Sequence, residues 1–370
     1  MKLLAITRSV VLLALALTAS IVTLHTASAA VDTRKVPQQI HLAFAGAKAG
    51  TGMTVSWATT DDVADSAVWI GTSLETLTKA TTNISSKSYY ADNDYSLFHH
   101  HATVSGLTPH TKYYYKVGSL TSTELQSQVS TFTTARDAQN TAEFEIAIYG
   151  KVDFIYHIGD ISYADDDFLR QGKLLDFGYE EIWNNWTNSL APVMNTMPYM
   201  VVVGNHEAEC HSPACSDSNY RLDSLGNYTA YNTRFKMPSK GTQPQHIQAA
   251  FEELFIKYGV DVVLAGHEHS YERHVPIARG KPVMTGVSAD KKTYVNPQAP
   301  AHIITGAAGN AEGHTKEPDA PAAWSAVFDY EHYGISKVKV SRTKLEWSFV
   351  ASSDGSVLDN FVMIKERASC

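Results

Sequence analysis

Val152-Asp153-Phe154-Ile155-Tyr156-His157-Ile158-Gly159-Asp160-Ile161-Ser162-Tyr163 is an apolar run that ends in a glycine and a group of polar side chains. Residues 152–158 have the length of a strand and little polar alternation, the pattern of a strand buried on both faces. Gly159 permits a tight turn, and Asp160 and Tyr163 follow it. The pattern recurs twice. Residues 199–203 lead into Gly204-Asn205-His206-Glu207, and residues 260–265 lead into Gly266-His267-Glu268-His269. A further apolar run occupies 144–149. Helical spacing appears between the strands. Residues 247–258 place Ile247, Phe251, Leu254, Phe255 and Tyr258 on one face, with Gly259 to stop the helix. Residues 179–190, with Ile182, Trp186 and Leu190, form a second helix candidate. Strands alternating with helices predict an α/β layered domain, in which ligands gather beyond the carboxyl ends of strands. Three strands would thus deliver oxygen and nitrogen donors to one edge.

The donor set narrows the chemistry. An aspartate, a phenol, an asparagine carbonyl and two histidines suit hard-to-borderline ions such as iron, zinc or manganese. Two histidines two residues apart can reach two adjacent ions, and a carboxylate can bridge them. Ions about 3.5–4 Å apart suit phosphoester hydrolysis. Each motif alone is weak. The three in this order, each after a buried strand, are specific.

Residues 36–135 have a different texture. Short alternating segments recur with turn residues between them, as in 39–44, 53–57, 67–70 and 112–117, which predicts an all-β region. The stretch from Leu107 to Tyr115 looks like the tyrosine corner of an immunoglobulin-like or fibronectin type III sandwich. His99, His100 and His101 would alternate faces on a strand, so they are expected as a surface feature and not as one metal site.

The chain has 370 residues, 44% apolar and 18% charged, enough for two packed domains. A net charge of −8 argues against a nucleic-acid partner, which a basic face would recognise. Sixteen histidines make metal or acid–base chemistry the first thing to test. Lys2 and Arg8, an apolar run over 10–17 that continues weakly to Leu24, and Ala27-Ser28-Ala29 form the pattern of a signal peptide at 1–29. A secreted, extracellular chain with no membrane attachment after cleavage is expected. Sequons at Asn83, Asn185 and Asn227 fit glycosylation in that compartment. Cys210 and Cys215 are close enough for a local disulfide, which leaves Cys370 over.

The three metal motifs resemble those of the purple acid phosphatases, a branch of the calcineurin-like metallophosphoesterases. The likeness extends over about 38–370, through Tyr271-Glu272-Arg273 to Asp354-Gly355. It implies an N-terminal all-β, fibronectin type III-like sandwich at 36–135. An α/β metallophosphoesterase domain of α-β-β-α type would follow at 142–370. It also implies a binuclear centre of ferric iron with zinc, manganese or ferrous iron, and phosphate monoesters as substrates. Carried over, Asp160 would bridge the ions, Tyr163 and His269 would bind iron, and Asn205 and His267 the divalent ion. His206 would contact phosphate and help protonate the leaving group, and Glu207 would orient its neighbours.

Two of the family's five ligand motifs are missing. No DxG aspartate follows 144–149, where Gly150 runs straight into Lys151. No GHRP-like histidine lies between the second and third motifs, and His246 precedes a helix instead of ending a strand. Parallel strands need a crossover of a dozen or more residues, so 144–149 and 152–158 are expected as a hairpin or one bent strand, with the catalytic domain shortened internally. Metal affinity should fall with the ligand count. A secreted non-catalytic protein and a different dimetal phosphoesterase stand as alternatives.

Overall fold

The computed structural model describes residues 33–80, 84–90, 96–147, 152–166, 178–210, 216, 223–238, 247–310, 312–316 and 320–366. The first eight strands are β1 (Gln38–Ala45), β2 (Gly52–Thr59), β3 (Ser66–Gly71) and β4 (Thr78–Ala80), then β5 (Ser85–Lys87), β6 (Phe98–Ser105), β7 (Lys112–Ser119) and β8 (Ser130–Thr133). They form two antiparallel sheets, ordered β1-β2-β6-β5 and β4-β3-β7-β8. Leu42, Trp57, Val68, Tyr115 and Phe132 fill the space between them. The hydroxyl of Tyr113 accepts the Thr108 N–H at 3.0 Å, which is the expected tyrosine corner.

The remainder comprises β9 (Phe144–Ala147), β10 (Ile155–Ile158), α1 (Tyr179–Met194), β11 (Tyr199–Val202), α2 (Thr229–Arg234) and α3 (Ile247–Lys257). It continues with β12 (Val262–Ala265), β13 (Tyr271–Ala278), β14 (Lys281–Pro282), β15 (Thr293–Val295) and β16 (Ala301–Thr305). It ends with β17 (Ser325–Asp329), β18 (Gly334–Val340), β19 (Lys344–Ala351) and β20 (Val357–Ile364). Strand β10 runs parallel to β11, and β12 parallel to β16. One sheet is ordered β12-β16-β13-β14, with β17 also on β13, and another β15-β20-β19-β18-β9. Tyr271, Ile303, Trp347, Phe349 and Phe361 pack between these two. A separate core under β10 and β11 joins Ile155 and Tyr199 to Trp183, Met194, Tyr231 and Phe235 from the helices. Among the described residues no helix is long and apolar enough to cross a membrane.

Three expectations need correction. First, β9 and β10 form neither a hairpin nor one strand. Strand β9 pairs antiparallel with β18, and among the described residues one parallel bridge, Ile146 to Phe154, ties it to the residue just before β10. The Asp153 N–H reinforces it by donating to Glu145 O at 2.9 Å. A connection too short for a parallel ladder still allows one bridge. Residues 148–151 lie outside the described ones, as do 239–246 with His246. Second, the apolar face of α3 is not buried: Phe251, Leu254 and Tyr258 are 38%, 44% and 73% exposed. Gly259, at φ +62°, does stop that helix.

Third, His99, His100 and His101 are not a surface feature. They are 3%, 0% and 7% exposed. His100 points into the sandwich, stacked on Trp57 and bonded to Thr59 Oγ1 at 2.8 Å. His99 and His101 point the other way, onto the second domain, where His101 Nε2 donates to Thr233 O at 2.8 Å. The alternation was right, but the face turned outward from the sandwich is covered. Strand β1 lies on α1 there, and the Arg234 guanidinium is buried among Glu180 at 2.6 Å, the Tyr89 hydroxyl at 2.9 Å and Asn184 at 3.0 Å.

Candidate metal centre

The three loops meet. Gly159 and Gly204 lie back to back, and a Cβ at position 204 would overlap the Asp160 carboxylate. The His206 N–H donates to Asp160 Oδ1 at 3.3 Å. Tyr163 Oη stands 3.0 Å from His269 Nε2. Asn205 Oδ1 stands 3.0 Å from His267 Nδ1. All five residues expected as ligands therefore come together at the carboxyl edge of β10, β11 and β12. Tyr163 is buried, whereas His267 lies open to solvent at the mouth.

The local backbone is strained where the ligands sit. Asp160, Tyr163 and His267 have φ of +51°, +52° and +75°. Side chains rarely adopt this region, and it persists where the surroundings impose it, often at functional sites. Glu207 is part of that restraint. Its buried carboxylate accepts the N–H groups of Gly204, Asp160 and Ile161 at 2.8, 3.0 and 2.7 Å. Burial pushes its carboxyl up to about 7, against the three amides that favour the anion.

Hydrogen bonding sets the tautomer of His269. His269 Nδ1 donates to Gly313 O at 3.0 Å, which leaves the Nε2 lone pair facing Tyr163 Oη. Tyr163 itself is held far above the ordinary phenol range by burial, then by the charges of Asp160, Glu312, Glu207 and Asp165. A phenol so surrounded gives up its proton only to a strong cation. The donor types and their orientation fit a pair of hard-to-borderline ions.

Three residues that motif spacing did not single out complete the site. Asp165 and Asp166 follow Tyr163 after one intervening residue, Ala164, and are fully buried. His206 Nδ1 meets the Asp165 carboxylate at 2.9 Å and Asp166 at 3.6 Å, and its ring packs 4.1 Å from that of Tyr163. The ligand atoms of Asp165, Asp166 and His206 lie within 4.8 Å of one another, close enough to hold an ion as well. Burial pulls the His206 imidazole down, but the hydrogen bond and charge of Asp165, with Asp160 and Asp166, outweigh it and push it up to about 9. Glu312, on the loop after β16, brings its carboxylate 3.6 Å from His269 Nε2 and 3.8 Å from His206 Nε2. The acidic pair beside Tyr163 was visible in the sequence. Glu312 carried no signal beyond its glycine-rich loop.

Comparison with known proteins agrees with this fold. Residues 37–134 match the purple acid phosphatase N-terminal domain, residues 130–241 the calcineurin-like phosphoesterases, and residues 299–360 the iron/zinc purple acid phosphatase-like C-terminal region. An acid phosphatase of Aspergillus ficuum is 23% identical over 73% of this chain and 76% of its own length. Purple acid phosphatase 21 of Arabidopsis thaliana is 25% identical over 90% of this chain and 86% of its own. That second alignment runs over 410 positions, more than this chain holds, so the relative carries residues absent here. A purple acid phosphatase from yellow lupin seeds superposes with a TM-score of 0.70 over 90% of this chain and 75% of the lupin chain. It is 20% identical, a likeness of fold.

Proposed function

This chain belongs to the purple acid phosphatases, and from that premise we propose that it hydrolyses phosphate monoesters at the edge where its three loops meet. In the products, the water oxygen is on phosphorus and the alcohol has taken the proton. Asp160 would be shared by the two ions, Tyr163 and His269 would hold the ferric ion, and Asn205 and His267 would hold zinc, manganese or ferrous iron. When bound, the two ions polarise the phosphate and supply an activated water. His206 carries the proton for the leaving alcohol, and Asp165 keeps it charged and oriented. Glu207 fixes the loop that presents Asp160. The meeting of Tyr163 with His269 and of Asn205 with His267, residues 106 and 62 positions apart, carries this reading.

Elemental analysis and a chromogenic phosphomonoester assay at acid pH test it. A purple product with two ions per chain and turnover is expected. A colourless, metal-free and inert chain would leave the second reading, a non-catalytic binding protein. One observation favours that alternative: β9 ends at Ala147, so its described residues bring no carboxylate to the metal edge.

We place the chain outside the cell on the strength of its N-terminal pattern. Asn185 and Asn227 are exposed and open to glycan, and Asn83 lies outside the described residues. Cys210 is disulfide-bonded, while Cys215, its expected partner, also lies outside them. A shift in mass on glycosidase treatment of the secreted chain checks this assignment.

A further inference from the structure

Behind the ligand cluster lies a chamber of about 890 Å³. At one end it is bordered by Asp160, Tyr163, His267 and His269. The rest of its wall is mostly apolar, with Phe154, Leu190, Met197, Leu264, Val338 and Trp347 from α1 and from three separate sheets. Its position follows from the strand order. Strand β9 contributes Ile146 to the wall, and among the described residues one bridge joins β9 to the start of the β10 segment. The space lies between the β10-β11, β12-β16 and β18-β19 strands, directly behind the metal edge.

A space of this size and lining has the character of a small-molecule site, mostly apolar with a few convergent polar groups. A small, hydrophilic ester would leave most of this wall uncovered. We propose that the chamber receives the hydrocarbon tail of an amphiphilic phosphate monoester whose phosphate lies at the Asp160, His267 and His269 end. The substrate class is then long-chain alkyl phosphates, split by water at the phosphorus–oxygen bond into a long-chain alcohol and inorganic phosphate. This specificity rests on the phosphomonoesterase reading above, but tail binding can be measured without turnover.

The test is calorimetric titration of the full chain with butyl, hexyl, octyl and decyl phosphate, each below its micellar concentration. Kd should fall about four-fold for each added methylene, equivalent to ~0.8 kcal/mol, and level off once the chamber is filled. Decyl phosphate should bind more tightly than decanol. Leu264→Phe with Val338→Phe narrows the chamber from two of its walls. It should flatten the chain-length gradient for the longer tails while butyl phosphate affinity and metal content hold. If that pair does not fold, as read by near-UV circular dichroism, Leu264→Phe alone should flatten the gradient in part. A flat series, a gradient unchanged in a folded narrowed variant, or decanol binding as tightly as decyl phosphate overturns the proposal. A flat series with normal hydrolysis of a short ester would remove the tail pocket and leave the phosphatase. A steep series on an inert, metal-free chain would do the reverse.

Discussion

Glu207 binds no ion in the proposed scheme, yet it determines where two ligands stand. Three amides from two loops converge on its carboxylate. A glutamine there would offer one good acceptor and would turn donors toward donors. At least one buried amide then loses its partner, at a cost of about 1–3 kcal/mol. Glu207→Gln should lower the melting temperature and the metal content together, read by calorimetry and elemental analysis. Gly204→Ala acts more locally. Its methyl would overlap both the Asp160 carboxylate and the Asp160 backbone nitrogen and push the residue from the site. Bound metal should fall to near zero while far-UV circular dichroism stays unchanged. Retention of both ions would show that Asp160 does not bridge them.

At the scale of elements, the strand ends were legible because a buried strand, a glycine and a polar cluster leave a pattern in one short window. Asp160 and His267 sit two residues past such a strand and Asn205 three. The rest depended on neighbours distant in sequence. The face of α3 reads as buried by periodicity, but among the described residues Leu254 and Tyr258 stay largely exposed. Glu312 reaches the site only because β16 lies parallel to β12 and sends its following loop over the same edge. The break between β9 and β10 was legible in kind, and the surviving bridge was not. It makes a prediction. In a parallel ladder alternate residues turn their amides to the same neighbour. The Ile155 N–H donates to Pro198 O on the β11 side, so those of Tyr156 and Ile158 face the other way. Hydrogen exchange should therefore be faster at Tyr156 and Ile158 than at Ile155 and His157. Equal protection across the four would mean that β10 has a second partner strand.

At the scale of the whole molecule, the two domains are joined through imidazoles that must stay neutral. His41 and His101 are pulled down to about 4, and His99 is pulled well below the usual imidazole range, by burial first. Arg234 adds to this for His41 and His99, and Lys236 for His101. Glu180 and the Tyr89 hydroxyl face the same guanidinium. Below the ordinary histidine value near 6.5 the unfolded chain takes up protons that the folded interface refuses. The contribution of these groups is thus full above about pH 6.5 and is lost as pH falls toward 4, on the order of 3 kcal/mol for each imidazole held at about 4. Below that the folded interface charges as well, and Coulomb repulsion around Arg234 works against domain docking. Melting temperature should accordingly drop steeply between pH 6.5 and 4. His101→Gln keeps a donor for Thr233 and removes one titrating group, so its slope over that window should be shallower. An identical slope in the variant would place the acid sensitivity elsewhere. An acid phosphatase with this interface would then work nearest its own limit of stability, with the sandwich and the metal domain held together least firmly where turnover is sought.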